Sequence, residues 1–369
     1  MKKVLKSVWL VAMVALASGS VVGHMSSSAG VQRETIPPPA EVVHVELKPI
    51  NENSQQGSYA PKYKKYSKLP RFTQGLVFDE QTGTLFESVG WWRHSSLIQY
   101  TLDQTQLTSS YRELSYLNDF YQRDNLTPEE ENATGWMAGI WKNFFAEGLA
   151  LVGNSLIQFS WRGEKYFVYK KDRVIGGKKK PRAYQRKGEG WGATVYKEGA
   201  KEFLLLSDGS SLITFYDAGD LTNLKKVGFI EVVNGDRPVS QINELEMVGN
   251  KLLANVFIDV RNENGAGEYY NGHQVLVIDP KTGYVEKVLQ FHPDHTEMKT
   301  FADKALATSP SAHELACPPD SQLPGMFLCR DRHFAFNGIA YDSRQDLVYF
   351  TGKNWPYFYE FKGSDLVGP

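Results

Sequence analysis

Residues 72–90 read FTQGLVFDEQTGTLFESVG: a small-polar pair and an apolar residue, a short alternating run, a turn, and a second alternating run. The same layout returns as AEGLALVGNSLIQFSW at 146–161, GEGWGATVYKEGAKEFLLLSDG at 188–209, INELEMVGNKLLANVF at 242–257 and FNGIAYDSRQDLVYFTGKNW at 336–355. A third run follows in most of them: SLIQYTL, KYFVYKK, SLITFYD, QVLVIDP and YFYEFK. Alternation punctuated by Gly, Asn, Asp and Lys is the pattern of antiparallel meanders. A lone meander cannot bury both faces, so repeats of this kind pack around an axis. The expectation is an all-β chain, a five-bladed β-propeller with inter-blade insertions. A two-sheet sandwich would account for the strands but not for their repetition.

Composition agrees with that reading. The chain has 369 residues, 41% of them apolar, which excludes disorder throughout and allows a core without disulfide staples. Aromatic residues at 13% and 32 glycines favour strands and tight turns over a helical bundle. A net charge of −1 leaves no electrostatic footprint for nucleic acid, and no such partner is expected. The basic run Lys178, Lys179, Lys180 and Arg182 reads as a solvated inter-blade loop.

Residues 1–22 pattern as a signal peptide: Lys2, Lys3 and Lys6, then VWLVAMVALA, then small residues. The apolar run is short for a membrane span, so a secreted or periplasmic chain without stable membrane insertion is expected, and a monomer. The other reading is an uncleaved N-terminal anchor. Residues 23–68 are rich in Ser, Pro, Gln and Lys and read as a flexible linker, with the propeller over 69–369. Within the linker, Val42 to Leu47 alternates like one strand and is expected to close the ring beside the last repeat. The two cysteines, Cys317 and Cys329, suit a disulfide in an oxidising compartment. Metal ligation by that pair with His313 and His333 is the alternative, although the spacing matches no zinc pattern. His292 and His295 are separated by Pro293, which argues for a turn over a preformed helical site.

In a propeller the first strand of every repeat lines the central channel. Equivalent positions then place Gln74, Glu147, Asn243 and Asn337 in one ring, with Gly190 as an open place. The second strands end at Glu87, Trp161, Asp208, Phe257 and Lys353. Convergent polar groups with aromatic walls suit a ligand pocket, although channel residues of this type also satisfy one another. Before Glu147, Thr127 and Pro128 open a helix whose Trp136, Ile140, Trp141 and Phe144 share a face, either a lid or a packed rim. GEGWGA imitates a dinucleotide loop, but a strand follows it, so the phosphate cradle is missing. Neither a G-x-S-x-G elbow nor an HExxH is present.

In their order, FTQGL with LFES, EGL with a downstream Trp, EGWG with SDGSS, INELE with ANV, and NGIAYD with TGKNWP resemble the plant and bacterial, papaya-type glutaminyl cyclases. The resemblance runs from about Phe72 to Lys362. It implies a five-bladed propeller that converts N-terminal glutaminyl residues of peptides or proteins to pyroglutamate with loss of ammonia. It further implies an acid/base carboxylate at Glu147, amide-polarising groups at Asn243 and Lys353, and substrate-lining residues at Phe72, Gln74, Trp161 and Trp191. Phe257 completes the wall where the family usually has Trp, and His94 stands where Arg is usual. No metal or other cofactor is required by the chemistry, and a cation in the channel would be structural. The alternatives are a propeller that binds a peptide or sugar without turnover, and a lactonase-like hydrolase. The latter normally needs several axial carboxylates.

Overall fold

A computed structural model describes residues 36–47, 58–59, 62–90, 95–124, 126–132, 142–257, 273–294, 297, 300 and 335–368. The chain is all-β, with a few short helical turns. The expected repeats fold as antiparallel meanders. The first comprises Thr73–Asp79, Thr84–Val89, Ser96–Asp103 and Thr108–Tyr116, and the second Ala146–Val152, Ser155–Ser160, Lys165–Lys170 and Arg182–Gln185. The third comprises Ala193–Glu198, Lys201–Ser207, Leu212–Asp217 and Lys225–Glu231, and the fourth Ile242–Val248, Lys251–Val256, Gln274–Ile278 and Val285–His292. The last comprises Phe336–Asp342, Leu347–Gly352 and Tyr357–Lys362. The first strand of each meander packs on that of the next, and the last returns to the first, so these strands enclose a common axis.

Each sheet buries its faces against its neighbours. Between the first and second meanders lie Phe86, Leu97, Leu149 and Phe167, and between the third and fourth Leu205, Ile213, Leu245 and Leu252. Fully burying such a side chain contributes about 1.5–3 kcal/mol, which explains why both faces of a strand read as apolar. At the axis the packing is backbone on backbone. A Cβ on Gly148 would lie 2.7 Å from the carbonyl oxygen of Trp191, and one on Gly192 would lie 2.1 Å from that of Asn243. Glycine is therefore required where neighbouring first strands touch. The fourth meander breaks this pattern with Glu244, whose carboxylate crosses to accept the Leu76 N–H at 2.8 Å.

The strand next to the last meander corrects the expected closure. A strand forms at Glu41–Glu46, but it runs parallel to Val285–His292 of the fourth meander, with Val43 opposite Leu289. Its alternate residues Val45 and Leu47 are buried in the apolar cluster there, which fixes that register. The place beside Tyr357–Lys362 is taken by Tyr63–Ser67, antiparallel, with Tyr66 opposite Phe358. Tyr66 is fully buried and its hydroxyl donates to Glu360 at 2.8 Å. The segment KYKKYSK is thus part of the last sheet and no free linker. A bridge from Ser67 to Thr108 then joins the sheet of the last meander to that of the first.

Of the helix expected before Glu147, the described residues hold one turn, Pro128–Glu131, and Phe144 lies outside any helix, buried edge-on against Phe167. Residues 133–141, with Trp136, Ile140 and Trp141, lie outside the described residues, as do residues 1–22, His94, His295, His313, His333, Cys317 and Cys329. Lys178, Lys179 and Lys180 are exposed as expected, but their loop is not between blades: it joins Lys165–Lys170 to Arg182–Gln185 within the second meander, and Arg182 opens that last strand. Among the described residues no helix is long and apolar enough to cross a membrane.

Candidate active site

Four of the first strands carry an irregularity at the same place, between Thr73 and Gly75, Ala146 and Leu149, Ile242 and Leu245, and Phe336 and Ile339. A bulge re-aims the extra residue out of the ladder. Here those residues are Gln74, Glu147, Asn243 and Asn337, all buried. In the third meander Ala193 pairs with Leu206 as Leu149 pairs with Gln158, so Trp191 and Gly192 hold the equivalent positions. Gly190 is not the open place the sequence suggested. A Cβ there would lie 2.9 Å from Phe159, and the ring position belongs to Trp191. The one-residue offset arises because GEGWG offers three glycines to align on, and Gly192 is the one that matches Gly148.

Glu147 is fixed by a relay from the neighbouring strands. Asn337 Nδ2 donates to the Thr73 carbonyl at 3.2 Å and to Gln74 Oε1 at 2.5 Å, and Gln74 Nε2 donates to Glu147 Oε1 at 2.8 Å. Gln74 therefore spends its amide on Glu147 and Asn337. Burial pushes the Glu147 carboxyl well above the ordinary carboxylate range; the Lys353 charge pulls it back and Glu189 pushes it further up. Lys353 is lowered by burial, opposed by Glu147. The ammonium and carboxylate sense each other without a direct ion pair. Lys353 Nζ instead lies 5.1 Å from the Phe72 ring centroid and 4.6 Å from that of Phe257, both within cation–π range. A backbone bridge between Phe72 and Lys353 holds that corner.

Aromatic contacts continue from that corner around Glu147. Phe72 meets Phe145 edge-on at 6.0 Å, Phe145 meets Trp161 at 5.8 Å, and Trp191 meets Phe257 at 6.2 Å. The gap between the two tryptophans is bridged by Glu189, whose Oε2 accepts both indole N–H groups at 2.9 Å. The structure thus brings Phe72, Gln74, Glu147, Trp161, Trp191, Phe257 and Lys353 together. Asn243 stands at the matching ring position, and its Oδ1 is buried without a hydrogen-bond partner among the described residues. A buried amide in that state is suited to a ligand's polar group.

Sequence reasoning missed Phe145, Glu189 and Glu244. Phe145 directly precedes the repeat, and Glu189 lies within GEGWGA, where the glycines drew the reading. Glu244 could have been noticed as the exception to the glycine that follows Gln74, Glu147 and Asn337. A cavity of about 1110 Å³ lies at the other end of the first strands, around Asp79, Thr194, Glu246 and Tyr341. Glu147 does not line it, and its two buried carboxylates are engaged: Asp79 accepts from Lys171 Nζ at 2.9 Å, and Glu246 accepts from Thr194 Oγ1 at 2.9 Å and from the Tyr341 N–H at 3.1 Å.

Behind Trp191, Gly209 has φ +82°, and a Cβ would lie 2.6–2.9 Å from the indole ring. Gly209→Ala is therefore expected to displace Trp191. An error of about 1 Å in a reactive geometry costs up to roughly 10²-fold, so kcat/KM should fall at least about tenfold. Steady-state kinetics with a retained melting temperature check this.

A sequence model described as glutamine cyclotransferase matches residues 63–315 and 320–362. A glutaminyl-peptide cyclotransferase of Arabidopsis thaliana is 26% identical over 291 residues, covering 79% of this chain and 67% of that protein. The crystal structure of Myxococcus xanthus glutaminyl cyclase superposes with a TM-score of 0.51 at 24% identity, covering 88% of this chain and 97% of that one, a likeness of fold. With most of its length matched by the family's own pattern, this chain belongs to the glutamine cyclotransferase family.

Proposed function

We propose that the five meanders are the blades of a five-bladed β-propeller, and that the pocket at one end of its axis cyclises N-terminal glutaminyl residues of peptides to pyroglutamate, releasing ammonia. The observation that carries this reading is one buried carboxylate, Glu147, held by Gln74 inside an aromatic wall with a buried lysine beside it.

The α-amine attacks the side-chain amide carbon of the same residue, so the site gains most by holding the curled conformer. Trp161, Trp191, Phe257 and Phe72 form walls for that purpose. As the N–C bond forms, the amide oxygen gains negative charge, which the Lys353 ammonium and an N–H of the Asn243 Nδ2 amide stabilise, while Asn243 Oδ1 is open to accept from a substrate N–H. Glu147 takes a proton from the attacking nitrogen and returns it to the departing NH₂, so ammonia leaves and the carbonyl re-forms. A carboxyl raised above its ordinary range suits both halves of this shuttle. In this reading the chain's own residues perform the step, with no cofactor, in an exported monomer.

The proton accounting gives a pH prediction. Glu147 must be ionised to accept a proton, so activity falls as pH drops through its raised pKa. The free peptide amine, with a reference pKa of about 7.7–8.0, contributes equally for every variant. Lys353 favours ionised Glu147, so Lys353→Met should raise the Glu147 pKa further and move the steepening of the acid limb of kcat/KM to higher pH. It should also lower kcat by about 10²–10³-fold, the cost of losing one oxyanion donor. An unmoved limb would remove Lys353 from the site.

The activity itself is tested by ammonia release from a Gln-initiated peptide, with its N-acetylated form as control. Acetylation removes the nucleophile, so release is expected from the first peptide alone. Equal release from both would replace cyclisation by simple amide hydrolysis.

A further inference from the structure

We propose that Glu189 is a positioning residue, a carboxylate clamp that fixes the two tryptophans of the substrate wall; this rests on the cyclase reading above. One oxygen, Oε2, accepts from Trp161 Nε1 and from Trp191 Nε1, each at 2.9 Å. The other, Oε1, accepts from Arg162 Nε at 3.3 Å. Arg162 in turn lies over the Trp161 ring, 4.2 Å from its centroid, so it covers one face of the indole whose edge Glu189 holds. The two tryptophans come from different meanders, and each packs on its own aromatic neighbour, Trp161 on Phe145 and Trp191 on Phe257, so those contacts do not tie one indole to the other. A shared acceptor does, because displacing either indole breaks a charge-assisted hydrogen bond.

The clamp is itself supported. Glu189 sits in the turn that joins the second meander to the third, where Gly188 has φ +85°. The Arg186 guanidinium donates to the carbonyls of Lys187 at 2.6 Å and Gly188 at 3.2 Å, and to that of Glu189. Three carbonyls gathered on one guanidinium hold the turn, so the carboxylate is presented in one place. Its function is then to set the width of the slot that receives the glutaminyl side chain.

The role is hydrogen-bond acceptance, which separates it from an electrostatic one. Glu189→Gln keeps an oxygen for both indole N–H groups and loses the charge; Glu189→Ala loses both. The expected result is a KM about tenfold higher for Glu189→Ala with kcat within about threefold, and a KM for Glu189→Gln within about threefold of wild type. Without peptide, two indole N–H resonances should shift in the NMR spectrum of Glu189→Ala, and these should be the ones lost in Trp161→Phe and Trp191→Phe. Unmoved indole resonances in Glu189→Ala, or a KM for Glu189→Gln as high as for Glu189→Ala, would overturn the clamp. If wild type fails to cyclise while the two resonances still shift, the clamp stands and the cyclase reading falls.

Discussion

Glu147→Gln is expected to lower kcat by about 10²–10⁴-fold, the usual cost of losing a positioned acid/base group. The replacement is nearly isosteric, and its carbonyl oxygen can still accept from Gln74 Nε2, which now sits 2.8 Å from Glu147 Oε1. What is lost is the ability to take a proton from the attacking amine and hand it to the departing amide nitrogen. The same change should raise stability. Burial lifts the native carboxyl's pKa above its unfolded value, so the native state favours the protonated form. Wild-type stability then declines as pH rises from the ordinary carboxylate range toward the native pKa, and a glutamine avoids that decline. Thermal melts at acid and neutral pH should show a neutral-pH gain for the variant that shrinks below the ordinary carboxylate range. A kcat within about threefold of wild type would deny Glu147 its role.

Lys68→Met should produce the largest loss of stability. The Lys68 ammonium lies 2.7 Å from Glu87 Oε1, and both side chains are fully inaccessible. Glu87 also accepts from the Thr73 hydroxyl and, at 2.7 Å, from Tyr100. Removing one partner of a buried pair leaves the other charge uncompensated, at about 3–5 kcal/mol. Against a total stability of about 5–15 kcal/mol for a typical domain, that loss is severe. The double replacement Lys68→Met with Glu87→Gln should recover much of it, because no isolated charge remains. Urea unfolding of the three variants checks the order; a single-variant loss under about 1 kcal/mol would contradict it.

Lys68 also marks where the sequence became hard to read. The repeats were legible because alternation and turn residues are local signals, and they place Gln74, Glu147 and Asn243 on first strands and Phe72 and Lys353 just beyond strand ends. The segment 63–67, YKKYS, carries two lysines and looks solvated, yet its tyrosines pack on the far end of the chain. Pairing between segments nearly three hundred residues apart leaves no local trace, which is also why the strand at Glu41–Glu46 could be foreseen but its partner could not. Glu189 was hidden for a related reason. A glutamate in a glycine-rich turn is usually a solvated residue, and only the convergence of two meanders brings both indole N–H groups to it. The aromatic wall was half legible: Trp161, Trp191 and Phe257 stood out, whereas Phe145 became part of it only through its contacts with Phe72 and Trp161.

The central claim is that the nitrogen leaving the substrate is the side-chain amide nitrogen, expelled by the substrate's own α-amine. A Gln-initiated peptide carrying heavy nitrogen only in that amide distinguishes the outcomes by mass. The account predicts that incubation with the protein releases labelled ammonia and leaves an unlabelled peptide lighter by one ammonia, its α-amine blocked. A peptide that keeps the label, or one that loses it but emerges as the glutamate form with a free α-amine, would contradict it.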